Sequence, residues 1–180
     1  MRYPVRAIGV AAIAGAVFIY GANAAVGSAG FPAPGSYRVD VESTRTVPAG
    51  PYVMTVVQTT DSGTGDVTVT RRSTLDPENV STQTAPGEVP PLRCVTVAKP
   101  PVVPPQYACP ALQVSTTPEG TVTRGTCNGL SVEDTWSRID DQTWEHLLQV
   151  TQPSVGGGGA NAVTDVVKER WVRVSDTCAS

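Results

Sequence analysis

One histidine, four cysteines and a few neighbouring carboxylates are the residues of this chain whose types could do chemistry. His146 stands alone of its kind. In the stretch Gln142 to Gln152 it alternates with Trp144, Leu148 and Val150, so a strand here would put all four on one face. A histidine in that setting ordinarily packs under a sheet with its ring nitrogens hydrogen-bonded. The sharper reading pairs it with Asp134, which would orient the ring so that a Ser or Thr hydroxyl could be activated. No Gly-x-Ser-x-Gly elbow accompanies it. The sequence therefore favours a packed histidine, assigns no catalytic residue and predicts a protein that is not an enzyme.

The other candidates are weaker. Asp61, Thr64 and Asp66 lie among glycines but miss the twelve-residue calcium loop with its terminal Glu, and they read as a turn. Glu133 and Asp134 are strand neighbours that alternation sends to opposite faces. Asp140 and Asp141 fall in a turn, and Arg71-Arg72 reads as solvated surface. Nothing resembles a phosphate loop or a metal cluster, so no cofactor or metal is expected.

All four cysteines (Cys94, Cys109, Cys127, Cys178) lie in the part of the chain that follows an export-like start. Arg2 and Arg6 precede an uncharged apolar run from Ala7 to Tyr20, and Ala22-Asn23-Ala24 offers a small-x-small cleavage site. Fourteen apolar residues are short of the roughly 20 that span a bilayer. Residues 1–24 are thus expected to be a removed signal peptide, leaving no membrane span and a periplasmic or secreted protein. An even cysteine count in an oxidising compartment predicts two disulfides. The spacing favours Cys94–Cys109 with Cys127–Cys178. Cys109–Cys127 competes, since those two flank the Pro118-Glu119-Gly120 turn, and it would force Cys94–Cys178.

These residues need elements to position them. The chain has 180 residues, of which 17 are Gly and 16 Pro, with 16% charged and 40% hydrophobic. That length suits one domain or two, and the Gly and Pro content suits short strands and turns rather than a helical bundle. Formal charge is −3. Removing Arg2 and Arg6 from 13 basic residues leaves 11 against 16 acids, net −5, which argues against a nucleic-acid partner.

Residues 25–33 are small and expected to be poorly ordered. Tyr37, Val39 and Val41 alternate with Arg38, Asp40 and Glu42, a half-buried strand that Pro48 to Pro51 should break. Tyr52 to Thr60 and Asp66 to Thr74 predict a hairpin. Residues 75–91 read as a loop, with a short helical turn possible near Asp76-Pro77-Glu78. Leu92 to Ala98 reads as a strand and Lys99 to Pro110 as an extended Pro-rich connector. Ala111 to Thr117 and Thr121 to Cys127 predict a hairpin whose Gly120 supplies a positive φ.

The hairpin from Leu130 to Gln152 has an inferable register. A three-residue loop, Asp140-Asp141-Gln142, pairs Val132 with Val150, Trp136 with His146 and Arg138 with Trp144. A two-residue loop would put Trp136 opposite Glu145, on the wrong face. Gly156 to Gly159 reads as a flexible loop, and Ala162 to Ser175 as the closing strand.

The sum is an all-β fold: an antiparallel meander of about nine strands, curled into a barrel or half-barrel to bury its apolar face, in a single domain over 34–178. Several stretches then resemble a family of exported bacterial envelope proteins catalogued only as a domain of unknown function. Pro34-Gly35-Ser36-Tyr37-Arg38-Val39 resembles its Pro-Gly-x-aromatic-x-Val start. Cys94-Val95-Thr96 resembles its first cysteine, Cys109 and Cys127 bracket a hairpin as its middle pair does, and Lys168 to Cys178 is similar to its basic last strand. The resemblance implies a Gram-negative periplasmic setting and carries no catalytic residue. The leading expectation is a binding protein that holds a lipid or other apolar small molecule against Trp136, Trp144, His146, Leu148 and Val150. The rivals are an envelope interaction module, using a sheet edge or the Pro-rich loop, and a hydrolase centred on His146.

Overall fold

A computed structural model describes residues 30–96, 112–153 and 162–178. Its elements are ten strands, with no helix among the described residues: β1 Gly35–Ala49, β2 Tyr52–Thr60, β3 Val67–Ser73, β4 Asp76–Ala85, β5 Arg93–Val95, β6 Leu112–Thr117, β7 Gly120–Cys127, β8 Leu130–Arg138, β9 Thr143–Gln152 and β10 Val163–Ser175. They form one antiparallel sheet in the order β4-β3-β2-β1-β10-β9-β8-β7-β6. The sheet is open rather than closed into a barrel. β5 lies off this path and pairs with the first three residues of β1.

Local chemistry explains most of the hairpins. β1 runs through Pro48 to Ala49 and turns at Gly50-Pro51, where Gly50 takes φ 68°. A two-residue hairpin needs a residue that accepts positive φ, and Gly does so at no steric cost. Asn128 and Gly129, at φ 50° and 80°, make the same kind of turn between β7 and β8. The β8–β9 register matches the sequence expectation at Val132–Val150, Trp136–His146 and Arg138–Trp144. Ile139 N–H donates to Thr143 O, which leaves Asp140, Asp141 and Gln142 as the three-residue loop.

Several expectations change. There are ten strands, because Asp76–Ala85 is a strand and not a loop with a helical turn. It is exposed throughout and pairs along β3, with Thr68–Thr84 and Thr70–Thr82 hydroxyls in contact. Without a buried face it has no apolar alternation to betray it. β5 is three residues long, shorter than the strand expected at Leu92 to Ala98. The β6–β7 turn is two residues long, with Thr117 opposite Gly120. Gly120 is not among the positive-φ residues; it is needed because a Cβ there would overlap the carbonyl oxygen of Trp136.

The disulfide pairing also differs from the favoured one. Cys94 is bonded to Cys178, with Cα atoms 5.3 Å apart. β5 pairs with β1 through Ser36–Cys94 while Ser36 also faces Ser175 of β10, so the first strand brings the two cysteines together. Cys109, the Pro-rich connector, the glycine run and the signal-like residues 1–24 lie outside the described residues.

The core lies on one face. Tyr37, Val39, Trp136, Trp144 and Trp171 pack together with Phe31, and a second cluster joins Val132, Val150 and Cys127. β8 and β10 are separated by β9, so in a flat sheet their side chains would stand roughly 9.6 Å apart. The rings of Trp136 and Trp171 are nevertheless centred 5.3 Å from each other. The buried face is therefore concave, and its side chains converge across intervening strands.

Candidate functional site

Alternation and register place a row of ionisable side chains inside this aromatic face. On β8, Asp134 and Trp136 share the concave side. On β9, His146 stands directly opposite Trp136, and on β10, Glu169 stands opposite His146. Arg93 of β5 reaches in from the far side of β1.

The contacts form a chain. Asp134 Oδ2 lies 3.0 Å from His146 Nε2, and Glu169 Oε2 lies 2.9 Å from His146 Nδ1. Trp171 Nε1–H donates to the same Glu169 oxygen at 3.0 Å, and Arg93 Nη1–H donates to Glu169 Oε1 at 2.7 Å. Aromatic rings cover the charges. Trp136 stacks on the imidazole at 4.3 Å between centroids, and the Arg93 guanidinium lies 5.2 Å from the Trp171 ring centre. Stacked imidazolium and guanidinium groups both gain from the electron-rich ring faces.

Charge alternates along the row: Arg93 positive, Glu169 negative, His146 positive, Asp134 negative. Burial alone would push His146 toward its neutral form, but hydrogen bonds and attraction from Asp134 and Glu169 outweigh it and raise its pKa from 6.5 to about 9. Burial opposes ionisation of Glu169 as well. His146 and Arg93 overcome that and hold its carboxyl near 2 instead of 4.5. The row is a neutral, doubly paired ion chain that relieves the desolvation cost of each member.

This arrangement decides what His146 can do. Both ring nitrogens are committed to carboxylates and the ring carries a proton, so it has no lone pair to take one from a hydroxyl. The expected Asp134 partnership is present, but it serves an ion chain and not an activated nucleophile. Among the described residues, no group of three or more His, Cys, Asp or Glu side chains is arranged to hold a metal ion.

The five residues expected to face a ligand do share the concave face. Trp136, Trp144 and Val150 are buried, while His146 and Leu148 are partly buried. Their cover was not foreseen. The segment Gly30 to Pro34, expected to be poorly ordered up to Ala33, crosses this face. Gly30 packs against Thr116 and Thr121 of the β6–β7 hairpin, and Phe31 sits in the aromatic cluster at 8% exposure. Tyr37 Oη–H donates to Ala33 O at 2.6 Å, and the Arg173 guanidinium donates to Pro34 O. The sequence also left Glu169, Arg93 and Trp171 out of the site. Alternation from Val167 through Arg173 held the signal for two of them.

On the opposite face a groove of about 570 Å³ is lined by Glu42, Thr59, Thr68, Lys168 and Arg170, among others. The turn beside it is internally bonded. Asp61 accepts from Gly63 N–H and Thr64 N–H, which lowers its pKa, and Asp40 accepts from Ser62 N–H and its hydroxyl. The expected turn at Asp61 to Asp66 is thus present, and the carboxylates of Asp61 and of Asp40 on β1 cap its backbone N–H groups.

No family model matches the chain, and no curated protein does. Among solved structures, the S-type phycobiliprotein lyase CPES from Guillardia theta is similar at 10% identity and a TM-score of 0.35, covering 78% of this chain and 88% of that one. A likeness at that score carries no argument. The expectation that this chain is not an enzyme is nevertheless withdrawn, since the similar structure is named a lyase. No helix among the described residues is long and apolar enough to cross a membrane.

Proposed function

We propose that this is an exported protein whose concave sheet face binds a small apolar or amphipathic molecule. One observation carries the reading. Tyr37, Trp136, Trp144 and Trp171 line a single sheet face, and the buried cluster they form also takes in Phe31, from a segment outside the sheet. An aromatic wall covered in part by a segment outside the sheet is a site shaped for an apolar ligand, because large apolar surface is stable only when something covers it. Leu148, with Val150 and Val132 in the adjoining cluster, extends the wall away from the tryptophans. The Cys94–Cys178 bridge supports export, since such bonds persist in oxidising compartments. The leader-like residues 1–24 and the four-cysteine resemblance agree with it.

Titration with an environment-sensitive apolar dye, followed by tryptophan fluorescence, tests the binding. Phe31→Ala should tighten dye binding several-fold by uncovering the wall, and Trp144→Ala should weaken it. If neither the natural protein nor Phe31→Ala binds the dye, the proposal fails.

A further inference from the structure

On the face opposite the aromatic wall, one groove of about 570 Å³ holds three charged side chains that make no ion pair or hydrogen bond among the described residues: Arg170, Glu42 and Asp66. For Arg170 and Glu42 this runs against the register. Arg170 of β10 lies directly opposite Asp40 of β1 on one side and Glu145 of β9 on the other. It bonds neither, because Asp40 accepts from the N–H and hydroxyl of Ser62 and Glu145 is held by Lys168 at 2.8 Å. Glu42 lies opposite Lys168, and with that ammonium drawn to Glu145 it meets Lys168 only as a longer-range attraction. Arg170 and Glu42 are diagonal neighbours across the β1–β10 pair, roughly 7–8 Å apart. Beside Glu42 the floor is a row of hydroxyls, Thr59, Thr68 and Thr84, in register across β2, β3 and β4. The Asp61–Asp66 turn makes one wall. It is fixed by Ser62 on Asp40 and by Gly65, which packs against the backbone of Glu88.

We propose that this groove binds a free basic α-amino acid, with its carboxylate on Arg170, its α-ammonium on Glu42 and its side-chain cation at Asp66. The proposal is independent of the reading above, which concerns the other face. A carboxylate and an ammonium on one carbon bridge a guanidinium and a carboxylate that do not bond each other, and the planar fork of Arg170 suits the carboxylate. Asp66 stands two strands and two residues from Glu42, roughly 12 Å over the sheet. An extended lysine lying over Thr59 and Thr68 closes that gap with a hydrogen bond at each end. Charge decides against the alternatives. The groove carries four acids, Asp40, Glu42, Asp61 and Asp66, against Lys168 and Arg170. Asp40 and Asp61 cap the turn and Lys168 serves Glu145, which leaves one cation and two carboxylates, net −1. A basic amino acid has one carboxylate and two cations, the complement of that set. A simple anion would meet Arg170 amid four carboxylates. A simple cation would leave Arg170 unpaired, and an apolar ligand would bury hydroxyls and charges without bonding them.

The experiment is calorimetry with L-lysine and three relatives. The methyl ester loses the carboxylate, Nα-acetyl-L-lysine loses the α-ammonium, and L-norleucine loses the side-chain cation. The proteins are the natural chain, Arg170→Gln and Glu42→Gln. Both positions are exposed, and circular dichroism confirms that the variants fold. Lysine should bind at least fivefold more tightly than each relative. Arg170→Gln should abolish the preference over the ester, and Glu42→Gln the preference over the acetyl form. No binding of lysine at millimolar concentration would overturn the proposal. Equal binding of lysine and its ester would mean that the acids gather cations without recognising a carboxylate, and would overturn it as well. So would a preference over the ester that survives Arg170→Gln, since the carboxylate would then sit elsewhere. Norleucine binding as tightly as lysine would overturn the basic side chain and the ligand class with it. Dye binding to the aromatic wall should be unchanged in both variants, so failure here is distinct from failure there.

Discussion

The imidazole of His146 faces the carboxylate of Glu169 across the β9–β10 pair, Nδ1 to Oε2 at 2.9 Å, with Asp134 on the other ring nitrogen. The consequence is a stability that depends on pH. A group whose folded pKa is raised contributes its full stability below its unfolded value and loses it as pH rises to the folded value. For His146 that window runs from 6.5 to about 9. Urea unfolding should show a loss of roughly 3 kcal/mol across it. His146→Gln should be less stable at pH 6 and should lack this alkaline slope. An unchanged slope would mean that the ring is neutral at pH 7.

Glu169 is the hub of the row, since Arg93, His146 and Trp171 all bond to it. Glu169→Gln keeps the shape and removes the charge, leaving two cations facing each other. A loss of roughly 3–5 kcal/mol is expected, as for other buried pairs broken on one side. The His146 pKa should fall toward its ordinary value, readable in the ring-proton titration. Glu169 itself contributes in the acid direction. Its folded pKa is depressed from 4.5 to about 2, so its share is present above 4.5 and lost as pH falls toward 2.

Reduction of Cys94–Cys178 releases a crosslink between residues 84 apart in sequence. Chain entropy assigns such a link about 4.5 kcal/mol. Cys178→Ser should lower the melting temperature and free β5. Arg93 would then leave Glu169, and Trp171 emission should shift to longer wavelength. Full stability in the reduced protein would show that β5 is held by its ladder bonds alone.

With Cys94 and Cys178 joined, the only cysteine left for Cys127 is Cys109. Cys127 is itself engaged. Non-reducing peptide mapping should return a fragment joining the peptides of Cys109 and Cys127. A free thiol at either position would contradict this.

Gly120 supports the wall from behind. Its Cα passes the backbone of Trp136, and a methyl group there would strike that carbonyl. Gly120→Ala should cost roughly 2–3 kcal/mol, at the upper end for overpacked positions, and a thermal melt would read it. A neutral outcome would mean that β7 can shift relative to β8.

The β8–β9 hairpin was legible because a short loop ties two alternating arms together, so one wrong step would have buried Glu145 beside Trp136. β10 carried an equally clear alternation, but it joins β9 through the glycine run. Loop length therefore could not set its register, and Glu169 was not placed beside His146. β4 was illegible for the opposite reason: Asp76 to Ala85 has no buried side, and its Pro, Asp and Asn read as a turn. The cysteine pairing depended on β5 docking against β1, a contact between segments about 60 residues apart that spacing along the chain does not encode. Phe31 was missed because small flanking residues disguise a segment anchored by one aromatic ring.

The first strand and the last form the central seam of the sheet, from Ser36–Ser175 to Thr46–Thr164. A chain emerging from its N-terminus can assemble β2 to β4 as one wing and β6 to β9 as another while both wait for a partner. The middle closes only when the final residues arrive, and closure between such distant segments is slow. Until that moment the tryptophans of β8 and β9 have no neighbour in Trp171, which makes the late intermediate the form most exposed to aggregation.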